Sequence, residues 1–96
     1  MLVDDSWATI GSCNLHTGSL RRNAELNASF WAPPLVRALR RTLFAEHLGT
    51  DTDGLDDRAA HALFRRVARD NRRRRIAGDP RWQGLAFGLD PAAYGT

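Results

Sequence analysis

The sequence predicts an α/β fold, on two observations. Short apolar runs bounded by turn residues fill the first third of the chain, and two stretches with apolar residues at helical spacing follow, the first opened by Pro33-Pro34. The expected order is three strands, two helices and an irregular tail.

Leu2-Val3 runs into the polar turn Asp4-Asp5-Ser6, and Trp7-Ala8-Thr9-Ile10 resumes as a second strand, which is a β-hairpin pattern. Gly11-Ser12-Cys13-Asn14 ends that strand. Leu15 to Arg22 reads as a polar connection in which Gly18 favours loop over helix. Leu26 to Trp31 is the third strand, with Leu26, Ala28 and Phe30 on one face. Pro33-Pro34 stops it and suits the first turn of a helix, where a missing N–H costs nothing. That helix is expected from Pro34 to Leu48, with Leu35, Leu39 and Leu43 as its stripe, Val36 and Phe44 widening it, and Gly49 as its stop.

Asp51 and Asp53 offer N-caps, and Asp56 and Asp57 suit the positive end of a second helix from Leu55 to Ala77. Its apolar stripe is Ala60, Leu63, Phe64 and Val67. Beyond it Gly78, Pro80, Gly84, Gly88, Pro91 and Gly95 break regular structure, leaving a packed tail anchored by Trp82, Leu85, Phe87 and Leu89. The chain thus divides into a strand-and-helix segment, 1–49, and a helix-and-tail segment, 50–96. Two helices cannot cover both faces of an open sheet, so the sheet is expected to be incomplete as a domain. An uncovered edge beside Leu2 to Asp5 would then let copies self-associate.

The composition is that of an ordinary globular protein, not of a disordered or membrane-embedded one. Cys13 is the single cysteine, which excludes an intrachain disulfide and a cysteine-based zinc cluster, and no metal or cofactor is expected. No apolar run is long enough to span a bilayer and no signal-peptide pattern opens the sequence; cytoplasmic or membrane-peripheral residence is favoured, and periplasmic residence stays open. All fourteen basic residues are Arg, for which coding bias is the plain explanation.

The chemistry gathers at Gly11-Ser12-Cys13-Asn14. A Gly permits close backbone approach to a phosphate, and Ser and Asn side chains donate to its oxygens. On an extended segment Ser12 and Asn14 point to the same side. The run Val3-Asp4-Asp5-x-Trp7-Ala8-x-Ile10-Gly11-Ser12-x-Asn14-Leu15, with Ser19-Leu20-Arg21, Asn23 and Glu25 beyond it, resembles the phospholipase D superfamily. The motif of that superfamily is His-x-Lys, four residues, Asp, then Gly-Ser-x-Asn and a later Glu. Leu43 to Gly49 is similar to the closing helix of bacterial phospholipase D-like and cardiolipin synthase-like proteins. His16 and Gly18 depart from the pattern of many relatives.

The resemblance implies the C-terminal part of a phospholipase D-type sheet and a two-step phosphoryl transfer, in which one His attacks phosphorus and another protonates the leaving alcohol. It implies that Gly11, Ser12 and Asn14 bind the substrate phosphate, that Glu25 orients a motif His, and that Asp4 steadies the strand. The positions for the motif His and Lys fall before Met1, and the chain contains no Lys. The expectation is a truncated product or an internal start, inactive by itself, derived from a phosphodiesterase or phosphatidyltransferase acting on phospholipid or another phosphodiester. His16 lies on the phosphate-side loop, as a solvated residue or a ligand contact; His47 and His61 read as surface or helix-end residues.

The alternative is a non-catalytic basic module. Arg72 to Arg75, with Arg65, Arg66 and Arg69 before them, could bind an anionic membrane surface, with nucleic acid less favoured. Four consecutive Arg spread around a helix, however, and the bland reading is a solvated helix end complementing the negative C-terminus.

Overall fold

Two consecutive aspartates fix the first turn. In the computed structural model, Asp4 and Asp5 both adopt left-handed backbone, with φ of 52° and 50°. Such pairs occur in the tight turns whose twist matches antiparallel strands, and Asp tolerates that region better than most residues. The Ser6 N–H closes the turn on the Val3 carbonyl at 3.0 Å. The structure describes residues 1–15 and 17–94, and the backbone only of Ser19 and Tyr94.

The chain is a small α/β protein, a three-stranded antiparallel sheet followed by two main helices. The sheet order is β1 (Leu2–Val3), β2 (Trp7–Gly11) and β3 (Asn27–Trp31). Leu2 faces Ala8 across β1 and β2, and Trp7, Thr9 and Gly11 on β2 face Trp31, Ser29 and Asn27 on β3. Between β2 and β3 lies a short helix, α1 (Thr17–Arg21). Two compact units divide inside α2 (Pro33–Leu48): Met1–Arg40 and Arg41–Thr96.

Within the first unit the expectations need three corrections. The Leu15 to Arg22 stretch is not all loop: Gly18 stands in the first turn of α1, and its carbonyl accepts the Arg22 and Asn23 N–H groups at 2.9 and 2.8 Å. The entropic cost of the glycine is offset by this closed turn. Leu26 precedes β3 and is largely exposed, since the ladder ends at the Gly11 and Asn27 pair and Leu26 bonds to Ser12 instead. Leu35 is exposed as well. Val36 is fully buried, and the residue four beyond it on the same helical face, Arg40, is buried too.

Arg40 is inside because of the hairpin turn. Its Nε and one terminal nitrogen donate to the two carboxylate oxygens of Asp5 at 2.9 and 2.7 Å, a bidentate fork that satisfies both charges. Arg37 adds a longer contact with Asp5 at 3.9 Å. A buried charge with no such partner would be expelled or neutralised.

The second unit holds the end of α2, then α3 (Asp57–Ile76) and the tail, which ends in a single turn, α4 (Pro91–Tyr94). The α3 N-cap is Asp56, whose carboxylate accepts the Ala59 N–H at 2.7 Å. Asp51 does not cap the helix; it accepts the Asp53 N–H at 2.6 Å and shapes the connecting loop. Leu48, Ala60 and Val67 are buried, and the Phe44 and Phe64 rings meet with centroids 5.0 Å apart. Gly84, at a φ of 64°, folds the tail back so that the Leu85 and Ala86 N–H groups reach the His47 carbonyl. A side chain at Gly84 would collide with the backbone of His47 and Leu48.

Asn71 fastens the tail to α3. Fully buried, it donates to the carbonyls of Gln83 and Ala86, both at 2.7 Å, and accepts the Gln83 N–H at 3.0 Å.

Candidate functional site

The end of β2 is built around Gly11. A Cβ at this position would strike the Asn27 Oδ1 and the Leu26 carbonyl, so only glycine lets the start of β3 approach so closely. The close approach permitted by Gly11 is therefore occupied by the neighbouring strand. Beyond it the pairing continues through side chains. The Ser12 N–H donates to the Leu26 carbonyl and the Leu26 N–H donates to the Ser12 hydroxyl, each at 3.0 Å. The Cys13 N–H donates to the Asn27 Oδ1 at 3.1 Å.

Strand alternation then assembles a polar face. Thr9 and Gly11 on β2 stand opposite Ser29 and Asn27 on β3, and the Ser29 hydroxyl lies 2.9 Å from that of Thr9. These four residues, with Trp7, Cys13 and Asn14, line an open cavity of about 560 Å³ whose remaining wall is the apolar group Met1, Ile10, Leu15 and Leu20. Among the described residues its lining carries amides, hydroxyls, the Cys13 thiol and the Met1 amino group, and no carboxylate.

The five expected site residues are not gathered in one place. Gly11 and Asn14 line the cavity; Ser12 does not, and its hydroxyl is engaged by Leu26. Glu25 is half-buried in the segment before β3 and is absent from the lining. Asp4 is exposed in the hairpin turn, at the opposite end of β2 from Gly11. The acid that ties this turn to a helix is its neighbour Asp5, through Arg40. Nothing in the sequence separates two adjacent aspartates, because only the turn decides which one faces inward.

Thr9, Asn27 and Ser29 were not singled out from the sequence. Their signal is faint but legible afterwards, as polar residues two apart on a strand facing a glycine that ends the neighbouring strand. His16 lies outside the described residues. His47 is half-buried with its ring edge-on to Phe64 at 6.4 Å, and His61 is exposed on α3.

Among the described residues, no group of three His, Cys, Asp or Glu side chains is placed to hold a metal ion, and no helix is long and apolar enough to cross a membrane. Chemically, the cavity offers amide and hydroxyl donors, with the Met1 ammonium bonded to the Thr9 carbonyl beside them, next to an apolar wall, a set that suits an anion carrying organic substituents. Compared with known proteins, the chain matches no family model, no curated protein and no solved structure.

Proposed function

We propose that the Gly11 to Asn14 turn and the cavity beside it form the phosphate-binding half of a phospholipase D-type phosphodiesterase or phosphatidyltransferase site, inactive in this chain by itself. The reading is carried by one observation: Gly11 and Asn14 of the Gly-Ser-x-Asn turn share a cavity with Thr9, Asn27 and Ser29, whose donors face an apolar wall with no carboxylate among them. A diester phosphate would take hydrogen bonds from Asn14, Asn27 and the hydroxyls while its organic substituents lie against Ile10, Leu15 and Leu20. Ser12 would act from behind, holding the turn on β3. In the resemblance Glu25 and Asp4 keep orienting roles, and no residue here supplies the nucleophile.

The chain has no Lys and no His-x-Lys run, so the proposal expects binding without turnover. An amide-resolved NMR titration with glycerophosphocholine tests it. Shifts should concentrate at Gly11 to Asn14, Asn27 and Ser29, Asn14→Ala should weaken binding by about 3- to 10-fold for one neutral hydrogen bond, and a chromogenic phosphodiester should remain intact. Shifts confined to residues elsewhere, or turnover of the diester, would overturn it.

A further inference from the structure

The arginines of α3 are sorted by face. With about 100° of rotation per residue, Arg58, Arg65, Arg69 and Arg72 fall on one line, and Arg66 and Arg73 on the row beside it. The buried residues Ala60, Val67 and Asn71 lie on the opposite side. All six of these arginines are exposed. Among the described residues, no carboxylate pairs with the first five, and Arg73 has a loose 3.8 Å contact with Asp70. The stripe runs for roughly 25 Å along the helix at about 1.5 Å per residue.

The run Arg72 to Arg75 is not the unit of charge. Arg74 turns toward Asn71, donating to its side-chain oxygen at 3.3 Å, and the Arg75 guanidinium stacks over Phe87 at 4.8 Å. Those two serve the tail, while Arg72 extends the row that begins at Arg58 and Arg73 the row beside it.

We propose that this arginine stripe docks the protein on an anionic lipid bilayer. Six like charges held on one side of a rigid helix attract a surface of opposite sign, and the guanidinium fork suits phosphate oxygens. A plane engages charges that lie along one face of a helix. The two phosphate walls of a nucleic-acid groove would instead meet the helix flanks, which carry the acids Asp57 and Asp70 and, beside Ala68 and Arg72, the tail at Gly88. The ring bordering the stripe is the small imidazole of His61, and the stripe ends in an exposed apolar residue, Ile76, which a headgroup layer accommodates. The inference stands independently of the phosphate half-site.

Co-sedimentation of the full chain with phosphatidylcholine vesicles, with and without one third phosphatidylglycerol, tests it. Binding should require phosphatidylglycerol and fall with added salt. The triple variant Arg58→Gln, Arg65→Gln, Arg69→Gln keeps helix propensity and should bind about 100-fold more weakly, at roughly fivefold per arginine. A control with the same loss of charge, Arg21→Gln, Arg22→Gln, Arg81→Gln, should bind within about threefold of the parent. Equal weakening by both triples would reduce the effect to net charge and overturn the proposal. So would failure to bind phosphatidylglycerol vesicles at low salt, or tighter binding to a mixed-sequence DNA duplex, provided circular dichroism shows the parent chain folded.

Discussion

Two neighbouring aspartates carry opposite burdens. Asp5 is buried and gives both oxygens to Arg40, whereas Asp4 is exposed at a φ that any side chain resists. Removing one member of a buried pair strands the other charge, so Asp5→Ala or Arg40→Ala should each cost about 3–5 kcal/mol. That is a large share of the stability expected for a chain of this length. Replacing both by Ala should cost less than the sum of the single losses, because no charge is left alone. Urea titrations followed by tryptophan fluorescence would check this, and additive losses would contradict the pairing. Asp4→Gly should leave stability within about 1 kcal/mol of the parent or raise it, since glycine adopts positive φ without strain. Gly11 is a similarly local case. Gly11→Ala drives a methyl into Asn27 and Leu26, and faster hydrogen exchange of the Ser12 and Leu26 amides should report the loosened pairing.

At the level of elements, Asn71 is the buried polar link between α3 and the tail. Asn71→Ala leaves the Gln83 and Ala86 carbonyls and the Gln83 N–H without their partner, at a cost of about 1–3 kcal/mol. Exchange of the Leu85 and Gly88 amides should accelerate more than that of amides in the middle of α3. Near the same tail, the Arg81 side chain and then its backbone N–H hold the Asp79 carboxyl below its ordinary range, with desolvation opposing them and Arg74 adding a smaller attraction. A depressed carboxylate contributes stability that is present above its ordinary titration range and is lost as pH falls through the lowered one. Carboxyl-carbon NMR should follow that titration, and Arg81→Gln should move it back toward the ordinary range. The helices were legible because periodicity records burial, as Ala60 and Val67 demonstrate, and the hairpin was legible because Asp4-Asp5-Ser6 interrupts an apolar run. Three features were not. The glycine of α1 looked like a loop residue, the inward line of α2 contains a charged Arg40 that no apolar pattern marks, and the tail is fastened by the polar Asn71 and by backbone bonds to the His47 and Ala68 carbonyls. Of the site, the Gly11 turn could be found from its residues, but Thr9, Asn27 and Ser29 join it only through strand register.

For the molecule as a whole, the balance between buried and exposed apolar residues sets its behaviour in solution. Among the described residues of the unit Met1–Arg40, Ala8 and Val36 are the fully buried apolar side chains, while Met1, Val3, Ile10, Leu15, Leu20, Leu26, Trp31 and Leu35 are exposed. Isolated exposed leucines are ordinary, but eight large apolar side chains within forty residues exceed what scattered exposure accounts for. The two outer strands add to this. β1 is two residues long with its outer edge unpaired in the sheet, and β3 forms the other edge, where Trp31 is 73% exposed and Leu26, just before the strand, is 82% exposed. Edges of this kind template pairing with another chain unless charge or proline blocks them, and β3 carries neither along Asn27–Trp31. The protein should therefore self-associate at micromolar concentration. Light scattering coupled to size-exclusion chromatography should show species larger than a monomer, shifting to monomer on dilution. Leu26→Thr and Trp31→Thr keep β-compatible residues while removing apolar surface, so each should weaken association by roughly tenfold or more, given ~1.5–3 kcal/mol for burying a large apolar side chain. The α3 variants Arg58→Gln, Arg65→Gln and Arg69→Gln should leave association unchanged, which separates it from lipid docking. A sharp monomer peak at every concentration, with a single cooperative melt, would show that these side chains are tolerated in water and that neither edge recruits a second copy.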